Sequence, residues 1–363
     1  MTIPVVIAGG GTGGHLYPGI ALAKTLMKHD SNIEVTFIGT RQGIESRVLP
    51  REGLRLKTIQ SGGLLGKKGI GRLINWLKLP VSLLQSMAFL LLNRPRLVVG
   101  VGGYVSGPAV LSAWALRIPI LIHEQNTVPG ATNRWLGKIA DTIAITFEMS
   151  KKYFPAHKVV ETGNMIREEF TGAQQANVPS SENFTVLVLG GSQGAHSINQ
   201  AMLEALDLLT PVKDRLNIIH QTGQPDEATV QTAYREKGFS AEAQAFIYDM
   251  AEQYRKASLV ICRSGATTLA EVTALGIPAV LVPFPFAAHN HQVHNAQALE
   301  SQGAARMILD KEVTGKQLAR IILDGIEHPE QLREMAGHSF QMGRRDATER
   351  VRGLCLDLIG GRR

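Results

Sequence analysis

Four apolar residues, Val5, Val6, Ile7 and Ala8, run directly into Gly9-Gly10-Gly11-Thr12-Gly13-Gly14-His15, and a helix-forming stretch follows from Leu16 to Lys28. A run apolar on both faces reads as a strand buried in a parallel sheet. The glycines let the backbone take positive φ and come close to a ligand. A helix N-terminus just beyond offers N–H groups and the positive end of a dipole. Strand, glycine turn and helix in this order predict an α/β fold with an anion site on the turn. The unit recurs at Val186-Leu187-Val188-Leu189-Gly190-Gly191-Ser192-Gln193-Gly194-Ala195-His196. A second echo supports the first: Ser106-Gly107 leads through a helical stretch to Ile118-Pro119, as Ser264-Gly265 leads to Ile277-Pro278. Two similar α/β halves therefore follow one another, each with its own phosphate-type loop.

The 363 residues are enough for two domains with separate cores. Further strands are expected at Glu34–Gly39, Leu56–Gln60, Leu97–Val101, Pro119–His123, Thr142–Phe147, Phe184–Leu189 and Leu259–Cys262, alternating with helices such as Ile44–Glu52. That alternation predicts doubly wound parallel sheets, whose ligands sit at the C-terminal ends of the strands. The first domain is expected over residues 1–163, with 343–363 returning to it, and the second over 164–342. A hinge is placed near 163–166, followed by a polar stretch from Thr171 to Asn183. Two cysteines, Cys262 and Cys355, cannot make a disulfide framework, no Cys/His cluster has zinc spacing, and Met1-Thr2-Ile3-Pro4 lacks a basic leader. A reducing, cytoplasmic setting without a signal peptide is the expectation.

The net charge of +7 is unevenly placed, because no acidic residue occurs between Glu52 and Glu124. Arg55, Lys57, Lys67, Lys68, Arg72, Lys78, Arg94, Arg96 and Arg117 lie in that span, among Leu64, Leu65, Ile74, Trp76 and many other apolar residues. Basic residues beside leucine and tryptophan suit the headgroup layer of an anionic membrane. Leu64, Leu65, Lys67, Lys68, Ile74 and Trp76 are the expected membrane-facing residues, whereas Met87–Leu92 reads as a buried helix. No apolar run approaches the roughly 20 residues of a membrane span. Nucleic acid is disfavoured, since aromatics are sparse and no binding motif accompanies the charge.

Gly9-x-Gly11-x-x-Gly14 matches the dinucleotide fingerprint, a weak pattern by itself. An NAD site needs an acid at the end of the second strand, where this chain has Ile38-Gly39-Thr40-Arg41; Arg41 leaves only NADP open. There is no P-loop and no Asp-x-Asp to hold a metal. Two anion loops in two domains fit an activated donor and a separate acceptor. In the second half, Ser264 to Ala270 turns from a strand into a helix whose N–H groups can take up charge on a departing diphosphate without a metal. Glu271 can accept hydrogen bonds from ribose hydroxyls, or can simply be an acid favoured near a helix start.

The chain resembles the MurG family of peptidoglycan glycosyltransferases. The resemblance rests on Gly10-Gly11-Thr12-Gly13-Gly14-His15, Gly102-Gly103-Tyr104-Val105-Ser106-Gly107-Pro108 and His123-Glu124-Gln125-Asn126. In the second half it rests on Gly190 to Ala195, His220-Gln221-Thr222-Gly223, Cys262 to Ala266, His291-Gln292 with Asn295-Ala296, and Asp346-Ala347-Thr348-Glu349-Arg350. It implies a GT-B fold: two Rossmann-like, doubly wound parallel-sheet domains facing a cleft, with a late helix returning to the first. It implies inverting, metal-independent transfer of GlcNAc from UDP-GlcNAc to a polyprenyl-pyrophosphate-linked acceptor, lipid I, with no cofactor, by an enzyme peripheral on the inner face of the cell membrane.

Residue by residue, the resemblance places Ile247 at the uracil through its backbone and Glu271 at the ribose. Ser192 and the turn with Ala266, Thr267, Thr268, Leu269 and Ala270 would surround the phosphates, and Gln292 would meet the sugar. Thr12, Gly13, Gly14 and Asn126 of the first domain, and Arg167 at the domain junction, join the donor set. Thr12 to Gly14 with Gly102, Gly103 and Tyr104 would face the acceptor's diphosphate. Where the family has Gly-Asn-Pro-Val-Arg, this chain has Gly163-Asn164-Met165-Ile166-Arg167. Inversion needs a base for the attacking hydroxyl. His15 is the candidate, with an ordinary pKa near neutrality; His123 beside Glu124 is the second, or a structural pair. Another GT-B lipid glycosyltransferase, a UDP-GlcNAc 2-epimerase and a nucleotide-sugar-binding scaffold are the competing readings.

Overall fold

A computed structural model describes residues 2–62, 70–171, 183–191 and 193–361, and for residues 70–78 the backbone alone. The chain forms two compact units, Met1–Glu168 with Asp346–Arg363, and Glu169–Arg345.

In the first unit, seven parallel strands, β1 (Ile3–Gly9), β2 (Ile33–Gly39), β3 (Arg55–Thr58), β4 (Leu97–Gly102), β5 (Ile120–Glu124), β6 (Thr142–Ile145) and β7 (Val159–Glu161), lie in the order β3-β2-β1-β4-β5-β6-β7. The order reverses between β1 and β4, which is where doubly wound sheets bind their ligands. The register slips there, Ala8 pairing with Gly100 but Gly9 with Gly102, so the two glycine turns leave the sheet side by side.

Alternation along each strand feeds two cores. Val5, Ile7, Val99 and Leu121 pack with Leu16, Ile20 and Leu26 of the helix Gly13–His29 and with Val351 and Cys355 of the helix Ala347–Gly360. On the other face Val6, Ala8, Val98 and Ile122 meet Ala109 and Val110 of the helix Ser106–Ala115 and Leu90 of the helix Ile70–Asn93.

The second unit repeats the plan with β8 (Phe184–Leu189), β9 (Leu216–Gln221), β10 (Ser240–Gln244), β11 (Leu259–Cys262), β12 (Ala279–Leu281) and β13 (Arg306–Met307), in the order β10-β9-β8-β11-β12-β13. Its reversal, between β8 and β11, again brings a glycine turn beside a strand-to-helix turn. Its core joins Val186, Val188 and Ile261 to Ile198, Met202 and Leu206 of the helix His196–Leu209 and to Leu318 and Ile322 of the helix Gly315–Glu327.

Several expectations are corrected. The first helix begins at Gly13 rather than Leu16, so His15 stands in its first turn. Residues 163–166 lie within the first unit: Met165 and Ile166 are buried, and Ile166 exchanges hydrogen bonds with Thr348 Oγ1, donating its N–H at 3.1 Å and accepting at 2.8 Å. By internal contact the units part at Glu168 and again at Arg345. Strand β7 is too short and too evenly half-buried to leave a pattern.

Met87–Leu92 is not a buried segment. Ser82, Ser86 and Leu90 form the inner stripe at helical spacing, while Leu84, Leu91 and Leu92 are 69%, 53% and 84% exposed. No helix among the described residues is long and apolar enough to cross a membrane. Leu64, Leu65, Lys67 and Lys68 lie outside the described residues; Ile74 and Trp76 are in the first turns of the helix Ile70–Asn93.

Candidate active site

At the reversal of the first sheet the two glycine turns interlock. Gly102 and Gly103 have φ of +96° and +81°. A Cβ on Gly103 would stand 2.7 Å from the carbonyl oxygen of Gly10, and one on Gly102 would stand 2.7 Å from His15 Nδ1. The His15 imidazole therefore packs on bare backbone that no other residue type would leave open. The Tyr104 ring faces Gly11 in the same way. Ser106 Oγ accepts the Gly102 N–H at 3.1 Å and lies 2.7 Å from the carbonyl of Ala8, tying the second turn to β1.

A residue that sequence reasoning missed holds the first turn. Glu45 is fully buried; its carboxylate accepts from the Gly11 N–H at 2.9 Å, the Thr40 N–H at 2.8 Å and the Thr40 hydroxyl at 2.9 Å. Glu45 lies a few residues beyond Arg41, past the end of β2 where an acid is expected. The signal was the flanking glycines: a Cβ on Gly39 or Gly43 would meet Glu45 atoms at 2.6 and 2.1 Å. The Gly11 N–H that a dinucleotide would need is thus engaged by the protein's own carboxylate, which argues against NAD and NADP alike.

His123 and Glu124 are not a pair. As neighbours on a strand they point to opposite faces. His123 Nε2 meets the Gly163 carbonyl at 3.2 Å, and burial pushes its pKa down to about 4, so it is neutral. Glu124 accepts from the Asn126 backbone and side chain and from Asn133 Nδ2, while burial raises its pKa. Glu124 thereby orients Asn126. Arg167 sits over the Tyr17 ring, 5.5 Å from its centroid. Thr12 is the N-cap of the first helix and exposed; Gly13 and Gly14 open it.

In the second unit the turn after β8 locks against the loop after β9. A Cβ on Gly194 would lie 2.0 Å from the Thr222 carbonyl. Gln221 bridges the turn to the uracil candidate, donating to the Gly191 carbonyl at 2.8 Å and accepting the Ile247 N–H at 2.9 Å. Behind it runs a buried chain. Asn199 Nδ2 donates to the Thr222 carbonyl and to Asp226, so its Oδ1 accepts from His220 Nε2 at 2.9 Å, and His220 Nδ1 accepts the Tyr234 hydroxyl at 2.8 Å. Burial drives the His220 pKa down to about 3, consistent with that neutral form. His196, the echo of His15, is exposed and meets Asp226 at 3.0 Å, so the repeat does not extend to a second base. Ser192 lies outside the described residues.

After β11, Gly265 caps the helix Ala266–Leu275, whose first turn carries Ala266, Thr267, Thr268 and Leu269 and no acid. Glu271, 7% exposed, follows Ala270 in the second turn; it is not a dipole-favoured first-turn acid. Its charge, after burial, helps push the Cys262 thiol up to about 12. Ser264 Oγ donates to the Gln292 carbonyl at 2.8 Å, and Gln292 Oε1 accepts the Phe284 N–H at 2.9 Å. Arg263 is not a free phosphate ligand: it reaches Asp310 at 2.5 Å and Ser197 at 3.1 Å. Among the described residues no group of three His, Cys, Asp or Glu side chains is placed to hold a metal ion.

Two parallel-sheet units of the same strand order, each with a glycine turn at its reversal, make this a GT-B protein. Residues 5–145 match the glycosyltransferase family 28 N-terminal domain and residues 185–351 its C-terminal domain. The chain belongs to glycosyltransferase family 28 and is a glycosyltransferase. It is 46% identical to the UDP-N-acetylglucosamine–N-acetylmuramyl-(pentapeptide) pyrophosphoryl-undecaprenol N-acetylglucosamine transferase of Myxococcus xanthus strain DK1622, over 98% of this chain and 93% of that one. It is similar to the crystal structure of Acinetobacter baumannii MurG, with a TM-score of 0.77 and 32% identity over 98% of this chain and 99% of that one. A UDP-GlcNAc 2-epimerase from Neisseria meningitidis bound to UDP-GlcNAc shares the fold, with a TM-score of 0.68 but 14% identity over 98% of this chain and all of that one.

Proposed function

We propose that this chain transfers GlcNAc from UDP-GlcNAc to the C4 hydroxyl of the MurNAc residue of lipid I, with inversion and without a metal, giving lipid II. The observation that carries this reading is the His15 imidazole seated on Gly102 at the sheet reversal of the first unit. A binding scaffold has no need of a base there. His15 takes the proton as the C4 oxygen attacks C1 of the sugar. The C1–O bond to UDP breaks, and the N-terminus of the helix Ala266–Leu275 takes up the charge on the leaving diphosphate.

The second unit holds most of the donor: the backbone of Ile247 at the uracil, Glu271 at the ribose, Ser192 and Ala266 to Ala270 around the phosphates, and Gln292 at the sugar. With the Ile247 N–H engaged by Gln221, its carbonyl is the backbone group for the uracil N3–H. Thr12, Gly13, Gly14, Asn126 and Arg167 serve the donor from the first unit. Gly102, Gly103 and Tyr104 serve the acceptor.

The enzyme works at the inner face of the cell membrane. Leu84, Leu91 and Leu92 stand exposed on the helix Ile70–Asn93, and Leu64, Leu65, Lys67, Lys68, Ile74 and Trp76 precede them in sequence.

Incubation with labelled UDP-GlcNAc and a short-chain lipid I analogue in EDTA tests the reading. A β-linked disaccharide is expected. An epimerised nucleotide sugar formed without acceptor, or no product in EDTA, overturns it. His15→Ala should lower kcat by roughly 10²–10⁴-fold with donor KM little changed.

A further inference from the structure

We infer that Gln125 is a positioning residue for His15: its Oε1 accepts the Nδ1–H of the imidazole, leaving Nε2 as the basic nitrogen. The inference rests on the reading of His15 as the base. A general base must present a lone pair, and which nitrogen does so is set by the partner of the other.

Three observations converge on Gln125. It is 1% exposed, and its Nε2 donates to the Val101 carbonyl at 2.7 Å. A carbonyl can only accept, so that contact fixes the orientation of the amide and turns Oε1 the other way. Oε1 is buried and meets no donor among the described residues, although a buried acceptor left without one costs about 1–3 kcal/mol. It faces the space beside Gly102. A Cβ built there would lie 3.5 Å from Gln125 Oε1 and 2.7 Å from His15 Nδ1, so the amide oxygen and the Nδ1 edge of the ring look onto the same spot.

A small turn of the ring brings Nδ1–H onto Oε1; catalytic hydrogen bonds commonly tighten only with substrate in place. His123 does not fill this role. Its Nε2 faces the Gly163 carbonyl and therefore carries the hydrogen, which makes its Nδ1 an acceptor as well. Gly102 and Gln125 thus act together, one leaving room for the ring and the other choosing its tautomer.

The test is long-range ¹⁵N correlation on histidine-labelled protein, with His15 assigned by its disappearance in His15→Ala. Wild type should show His15 as the Nδ1–H form, against the usual solution preference for Nε2–H. Gln125→Met keeps length and bulk but offers no oxygen. It should return His15 to Nε2–H and lower kcat at least about tenfold, short of the loss in His15→Ala, with donor KM unchanged.

A wild-type His15 in the Nε2–H form overturns the inference without any variant having to fold. So does a folded Gln125→Met enzyme with unmoved tautomer and kcat, while His15→Ala is crippled; that pair removes Gln125 and leaves His15 the base. A His15→Ala enzyme within tenfold of wild type removes the base reading, and the role of Gln125 in catalysis with it.

Discussion

Replacing Gly102 by alanine puts a methyl group where the His15 ring now lies. The new carbon would stand 2.7 Å from Nδ1, and ordinary contact begins near 3.4 Å, so the ring must retreat by about 0.7 Å. A misplacement near 1 Å can cost about 10²-fold in rate, so kcat should fall by roughly 30- to 100-fold, equivalent to about 2–3 kcal/mol. Backbone strain comes in addition, because φ is +96° at Gly102, and amounts to about 1–3 kcal/mol of stability. Gly53→Ala separates the two effects. Gly53 also has a positive φ, +70°, but nothing lies within 4 Å of its Cβ position. It should lose about 1–2 kcal/mol of stability and no activity. Both variants are compared by thermal unfolding and by steady-state transfer to the soluble acceptor. Wild-type kcat in Gly102→Ala, or an equal kcat loss in Gly53→Ala, would refute the proposed seat of the base.

Glu45→Ala strands the donors of Gly11 and Thr40 and should cost about 3 kcal/mol or more, read as lowered resistance to urea in the first unit; unchanged stability would show the carboxylate to be idle. The histidines His123 and His220, neutral in the fold with pKa values pushed down to about 4 and about 3, take up protons more readily when unfolded. Their contribution is complete above pH 6.5 and is lost as pH falls towards those values, so urea unfolding at pH 5 against pH 7 should show up to about 2 kcal/mol less stability for each. His220→Gln should flatten that slope in the second unit. Sedimentation with anionic vesicles should weaken as salt rises and when Leu84, Leu91 and Leu92 become serine; indifference to both would remove the proposed membrane surface.

The glycine turns were legible because a buried parallel strand, a turn with positive φ and a helix start leave an unmistakable order of residue types. The echo between residues 5–15 and 186–196 was legible for the same reason, and the two sheets share the order it implied. What stayed hidden depends on contacts remote in sequence. Glu45 reaches back to Gly11, and Thr348 closes on Ile166 from the far end of the chain. Neither pairing has a local pattern, so the carboxylate and the Thr348 closure were not legible. His123-Glu124 misled in the opposite sense: adjacency in a strand puts two side chains on opposite faces.

Hydrogen exchange with UDP alone most directly tests the division of the two pyrophosphates between the units. Amide protection should rise around residues 190–194, 247 and 264–271 of the second unit, with residues 9–15 and 102–104 unchanged until a pyrophosphate-bearing acceptor is added. Protection by UDP centred on residues 9–15, with the second unit silent, would contradict glycosyl transfer between two separate anion turns.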